Sequence, residues 1–258
     1  MLPRHAFSAR DAARAGDVWR WCQEAAVEAS SRAGWSPSRY RAEKVAFVVR
    51  SMTTVHHREV TYGERTTART WVNRFRRDMF STRQVRLFGD EGPVASATQE
   101  WVHVSEELKP TRASPDLLDS FPIHEESPRF EFPSWVPVDG SNHRLSFSCW
   151  HTWMDPLDHV NHPAYVDWCD EAVSEVMKRA GLTPVQLQPV AERLTFKAGV
   201  TAGDRVTVES KRIGHTTDGS LVLRHRILKN DGIECAAGET VRRLAVGDSR
   251  RLVAAWDD

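Results

Sequence analysis

At 258 residues the chain is long enough for one large domain or two of ordinary size, and a hydrophobic content of 40% suffices for packed cores. Lys and Arg (35) balance Asp and Glu (35), so no charge excess favours nucleic acid or an acidic membrane surface as partner. No apolar run reaches spanning length and no signal-peptide core is visible, which predicts a soluble, cytoplasmic protein.

In chain order, His5 to Ala9 predicts a short strand, and Val18 to Ala33 a helix. Val45 to Thr54 is strand-like from its β-branched content. Tyr62-Gly63-Glu64 turns the chain into strands at Arg65 to Phe75, Met79 to Phe88 and Val94 to Val104, with Gly89-Asp90-Glu91-Gly92 as a hairpin signal. Consecutive strands on tight turns must be antiparallel, and the helix is the element available to cover their apolar face. Glu107 to Pro137 carries prolines at 110, 115, 122, 128, 133 and 137 and reads as an extended linker. Beyond it come a strand from His143 to His151, a helix from Tyr165 to Ala180, and strands at Val190 to Phe196, Arg205 to Gly214, Ser220 to Lys229 and Ile233 to Leu244. Thr217-Asp218-Gly219 and Asn230-Asp231-Gly232 are the hairpin turns. Residues 247–258 predict no element.

The chain repeats itself. Trp21-Cys22, Glu24-Ala25 and Arg32-Ala33-Gly34 recur, 147 positions on, as Trp168-Cys169, Glu171-Ala172 and Arg179-Ala180-Gly181. Val60 to Arg65 parallels Val200 to Arg205 at an offset of 140. Constant offsets within each block indicate duplicated domains, the spacing being too long for a solenoid. The four cysteines (22, 149, 169, 235) form no CxxC, and two of them fall on the repeated helix, so they read as reduced core thiols.

The most chemical stretch precedes the second helix: His151 to Gly181 opens with Asp155, Asp158, His159 and His162. Asn161 or His162 can cap that helix, with Pro163 in its first turn. The apolar positions Trp168, Cys169, Ala172, Val173 and Val176 trace one buried face. The partial positive charge of a helix N-terminus can polarise a carbonyl oxygen, which suits acyl chemistry. The histidine spacing matches no standard metal-ligand pattern, and Trp19, Trp21, Trp168 and Tyr165 sit at core rather than ligand-cage spacing.

In the first half, Gly34-Trp35, Thr70-Trp71-Val72, Arg76-Arg77-Asp78 and Ala97 to Val102 resemble strand motifs of the acyl-ACP thioesterases. In the second half, Met154-Asp155, His159-Val160-Asn161 and Tyr165 resemble that family's catalytic loop. Asp155-Pro156, Pro163 and Tyr165 are also similar to residues of the related 4-hydroxybenzoyl-CoA thioesterases. The likeness covers nearly the whole chain apart from its last dozen residues. It implies an α+β fold, a tandem (double) hot-dog, in which each half is an antiparallel sheet wrapped around a long helix. The expected organisation is an N-terminal hot-dog at 1–107, a linker at 108–138 and a catalytic C-terminal hot-dog at 139–258.

The resemblance implies hydrolysis of an acyl thioester, on acyl carrier protein or CoA, without cofactor or metal. Asp155 is then base or nucleophile, and His159 polarises water or shuttles the proton, its intrinsic pKa lying near neutrality. Asn161 orients His159 or the thioester, and the backbone N–H at His162 serves the oxyanion. Two places depart from the family: Leu157 stands where it commonly has an asparagine, and Gly199-Val200-Thr201 where it has an acidic residue. Thr201 or, from the first half, Glu59 could substitute. The first half has no counterpart of the Asp155 to Asn161 loop, which predicts one active site per chain. A monomer then suffices, although free sheet edges could support a homodimer. Two other readings of the same scaffold are a dehydratase or hydratase and a non-catalytic acyl-binding protein. Arg74 to Arg77 reads as a solvated turn or as a docking patch for an acidic carrier.

Overall fold

The structure, a computed structural model, describes residues 2–125, 130–230 and 232–257. Pro128 of the proline-rich segment and Asp231 of the Asn230-Asp231-Gly232 turn lie outside the described residues. The first half contributes β1 (Val45–His56), β2 (Thr67–Arg76), β3 (Phe80–Gly89) and β4 (Gly92–Ser105). The second contributes β5 (Val136–Pro137), β6 (Asn142–Ser148), β7 (Leu187–Phe196), β8 (Arg205–His215), β9 (Leu221–Lys229) and β10 (Ile233–Leu244). They join in one antiparallel sheet of order β2-β3-β4-β1-β7-β10-β9-β8-β5, with β6 also on β8. The order is the duplication made visible: β2-β3-β4-β1 on one side of the β1–β7 seam mirrors β8-β9-β10-β7 on the other.

The two repeated helices are α1 (Ala15–Arg32), which the short α2 (Pro37–Ala42) follows, and α4 (Ala164–Arg179). Each buries one stripe: Val18, Trp19, Cys22 and Ala26 on α1, and Tyr165, Trp168, Cys169, Ala172, Val173 and Val176 on α4. Val18, Trp19 and Cys22 of α1 and Tyr165, Trp168, Cys169 and Ala172 of α4 enter one core cluster, which also takes in Met52, Val85, Leu194, Val208 and Ile227 from the sheet; Val173 and Val176 belong to a second. All four cysteines are buried and unpaired with one another. The helices also touch through charge, because Arg20 of α1 ion-pairs with Asp167 of α4. Gly16 allows that approach: a Cβ there would meet Asp167 Oδ1 at 1.9 Å.

Four local expectations change. Residues 4–6 form a 3-10 turn rather than part of a strand, since only Phe7 finds a bridge partner, Ala13. The stretch after β4 is more than an extended spacer. Ser114 accepts a hydrogen bond from Leu117 N–H (3.2 Å) and Pro115 starts α3 (Pro115–Asp119), whose Leu117 packs with Phe121, Trp35 and Val72 over the first half. Neither Asn161 nor His162 caps α4. Pro163 immediately precedes the helix with helical backbone angles, and no side chain bonds its first turn. Finally, residues 250–257 form α5 (Arg250–Asp257), which buries Leu252, Ala255 and Trp256 against Val173, Val176, Met177, Leu221 and Leu223. No helix of the described residues is long and apolar enough to cross a membrane.

Candidate active site

The site follows from the way the seam ends. β1 pairs with β7 only from Ser51 to Val55, against Thr195 to Ala191. Residues 45–50 stay with β4, and a bulge falls at Arg50, between Val49 and Ser51. The chain beyond Phe196 leaves the ladder. Strands that part in this way leave a gap, and here it is a cleft of about 410 Å³. One wall is Phe47, Val49, Arg50, Trp101 and Val102; the other is Asp155, His159, His162, Tyr165, Phe196 and Gly199. Both halves of the chain therefore build it.

The loop that carries the ionisable groups is tied at both ends. Asp155 N–H donates to the His159 carbonyl (2.7 Å), Met154 and Val160 form a bridge, and Val160 N–H donates to the Val200 carbonyl (2.9 Å). Asp158 takes a positive φ of 59° inside this turn. The Asp155 carboxylate accepts from Leu157 N–H (2.8 Å), which orients it. The His159 ring lies on Gly199, where a Cβ would come within 2.4 Å of its Cδ2. The glycine leaves the ring room that a longer side chain would fill.

His162 is different in kind. Its ring is enclosed by Trp19, Trp101 and Phe196, with centroids at 6.0, 6.4 and 5.8 Å. Burial, assisted by the nearby Arg20 charge, holds its pKa down to about 3, so the imidazole is neutral at physiological pH. Its Nε2 is buried and has no protein partner among the described residues, as do Asn161 Oδ1 and, from α1, Gln23 Oε1. Its backbone N–H, at the approach to α4, donates to no acceptor among the described residues.

Asp155, His159 and the side chain of His162 thus meet at one cleft, while the other candidates lie apart. Asn161 sits on the same loop, its N–H donating to the Trp153 carbonyl (3.0 Å), without lining the cleft. Thr201 does not reach it: its hydroxyl and N–H both donate to Asp204 Oδ2 (3.1 and 2.9 Å), closing the turn before β8. Nor does Glu59, which a two-pronged ion pair with Arg10 holds elsewhere (2.5 and 2.6 Å). His143 instead meets the Trp256 carbonyl at 2.7 Å.

The sequence reading missed two features. One is the cleft lining from α1, Gln23, at the duplicate position of Asp170; its offset of 147 is the only signal that could have found it. The other is a charge cluster under the seam. Glu192 on β7 is fully buried and accepts from Trp19 Nε1 (3.1 Å) and Arg242 Nη1 (2.6 Å), and it pairs with His56 Nε2 (2.8 Å). Burial opposes its ionisation, but His56 and Arg242 outweigh that and hold it down to about 2. Arg242 also donates to Asp170 (2.7 Å), whose own pKa burial pushes up to about 6.

Comparison with known proteins agrees with this architecture. Residues 149–258 match the thioesterase-like superfamily and residues 16–94 the thioesterase superfamily. No curated protein sequence matches. Among solved structures, the chain is similar to one from Lactobacillus plantarum assigned as an oleoyl thioesterase (17% identity, TM-score 0.79, covering 95% of this chain and 94% of that one). An acyl-ACP thioesterase from Bacteroides thetaiotaomicron shares 13% identity at a TM-score of 0.74, covering 94% and 95%. The 12:0-ACP thioesterase of Umbellularia californica shares 14% at 0.73, covering 94% and 91%. Identities this low speak for the fold, an antiparallel sheet with few helices consistent with a double hot-dog. With one superfamily match in each half, the chain belongs to the thioesterase superfamily.

Proposed function

We propose that the protein hydrolyses an acyl thioester, carried on acyl carrier protein or CoA, to the free carboxylic acid and the thiol. The observation that carries this reading is the convergence of Asp155 and His159 on the cleft where β1 and β7 part. Such a cleft, apolar along Phe47, Val49, Trp101 and Phe196, suits an acyl chain, and the polar loop at its side suits the carbonyl.

In this mechanism Asp155 takes a proton from water as the water oxygen attacks the thioester carbon. His159 orients that water and relays the proton from Asp155 to the departing sulfur as the C–S bond breaks. The free N–H at His162, before the N-terminus of α4, receives the developing oxyanion. Neither Thr201 nor Glu59 enters the reaction, each being committed to its own partner. We assign the N-terminal hot-dog to 1–107, the linker to 108–138 and the catalytic hot-dog to 139–258, each sheet wrapped around its long helix. The two halves supply together what a pair of single hot-dogs would, so one chain makes one site.

The test is thiol release from acyl-CoA and acyl-carrier panels by wild type and Asp155→Asn. The expected result is turnover by wild type and a fall of about 100-fold or more in the variant. Acyl ligands that raise the melting temperature without any thiol release would instead establish an acyl-binding protein.

A further inference from the structure

The cleft is not uniformly apolar, and its polar floor has no task in the hydrolysis just described. Gln23 reaches it from α1 and His162 from the loop before α4, and both line it. Gln23 Oε1 and His162 Nε2 are buried there without a protein partner among the described residues. Buried polar atoms are normally paired, and an apolar chain lying across these two would leave both unsatisfied. Around them the walls are rings and aliphatics: Trp19, Trp101 and Phe196 about the imidazole, with Phe47 and Val49 across the cleft.

Resting on the thioesterase reading, we propose that Gln23 and His162 form a subsite for a hydroxyl group carried on the acyl chain close to the thioester carbonyl. A hydroxyl both donates and accepts, so it can donate to the Gln23 carbonyl oxygen while accepting from Nε2–H of the neutral His162 imidazole. Exchange of the two ends of the Gln23 amide leaves that match intact. A carboxylate would face the Gln23 oxygen acceptor against acceptor, with no proton to share between them. His162 is three residues from His159 on the same loop, which puts the hydroxyl within a few carbons of the reacting carbon.

The test compares kcat/KM for thiol release from decanoyl-CoA with that from its 2-, 3- and 4-hydroxy counterparts. Wild type is expected to prefer at least one hydroxylated substrate by about tenfold or more, because loss of a buried hydrogen-bond partner is discriminated strongly. Gln23→Leu and His162→Phe should each bring that ratio to within about threefold of unity, with Gln23→Met as the alternative where Gln23→Leu does not fold. Equal rates on all four substrates, or a preference that survives both substitutions, would overturn the proposal. A common loss of rate on all four, at constant ratio, would also overturn it, by giving the subsite to water. If neither these substrates nor the same four acyl groups on acyl carrier protein release thiol, the thioesterase reading fails on its own. The subsite is then judged by whether hydroxydecanoic acids raise the melting temperature more than decanoic acid does, and equal shifts reject it.

Discussion

Arg20 and Asp167 occupy the same position of the duplicated helix, 147 residues apart, and pair with each other between α1 and α4. A single ancestral position has become a cation in one copy and an anion in the other. Asp17 adds a second carboxylate to Arg20 at 3.2 Å. Both Arg20 and Asp167 side chains are about one-third exposed (35% and 34%), so water screens the attraction. A double-mutant cycle with Arg20→Met and Asp167→Asn should return a coupling of about 0.5–1 kcal/mol. A coupling of zero in urea unfolding would reduce the pair to a surface contact. Gly16→Ala, which drives a methyl into the Asp167 carboxylate, should cost the same pairing.

Gly199 sets the position of His159. Its exposed backbone has no steric demand of its own, but a methyl there would strike the imidazole at 2.4 Å. The Gly199→Ala variant should therefore keep its stability to within about 0.5 kcal/mol. Displacement of the ring should lower kcat by about tenfold to 100-fold, the scale of a misplaced catalytic group. Unchanged turnover would remove His159 from the chemistry.

The cluster at Glu192 spans the seam, because Trp19 and His56 come from the first half and Arg242 from the second. Glu192→Gln keeps the shape and removes one of the two carboxylates that balance the fully buried Arg242, the other being Asp170. Loss of one member of a buried pair should destabilise the fold by about 3 kcal/mol. The urea midpoint should fall at constant m-value. Separation of unfolding into two transitions would show in addition that this cluster couples the halves.

Stability should decline on acidification from near neutrality. His225, fully buried between the Ser210 and Thr240 hydroxyls at 2.7 and 2.8 Å, is held down to about 3 by burial, as is His162. Both are depressed below the ordinary histidine value, so the unfolded chain binds more protons between about 6.5 and 3. Their contribution is whole above that window and is lost as pH falls through it, at no more than about 1.4 kcal/mol per pH unit for each. Glu192, held near 2, adds a loss of the same sign below about 4.5. Asp170, raised to about 6, acts in the opposite sense and blunts the slope. Imidazole NMR should show neither His162 nor His225 titrating between pH 8 and 5; a midpoint near 6.5 for either would place it in water.

Much of the fold was legible because it rests on local rules and on the repeat. The strands at Val45, Arg205 and Ile233 begin where β-branched content and Gly turns put them, and both long helices follow the apolar rhythm. The mirrored strand order follows from duplication. Elements that depend on distant partners were not legible. The strand expected from His5 finds a bridge partner only at Phe7, and α5 stands because Val173, Met177 and Leu221 offer Trp256 a hydrophobic seat.

The site divides in the same way. That Asp155 and His159 line one cleft was legible because they lie four residues apart in one loop, where chain connectivity alone keeps them close. Thr201 and Glu59 were matched by position, but their side chains are claimed by Asp204 and Arg10, which local pattern does not reveal. Gln23 and His162, 139 residues apart, line one cleft only because β1 and β7 part near Phe196 and both halves of the chain wall the gap. The sequence by itself determined the duplication, the antiparallel strands and the polar loop from Asp155 to His162, all matters of local pattern. Tertiary structure alone decided which polar atoms are buried without a partner, because burial and pairing depend on what the rest of the chain brings to them.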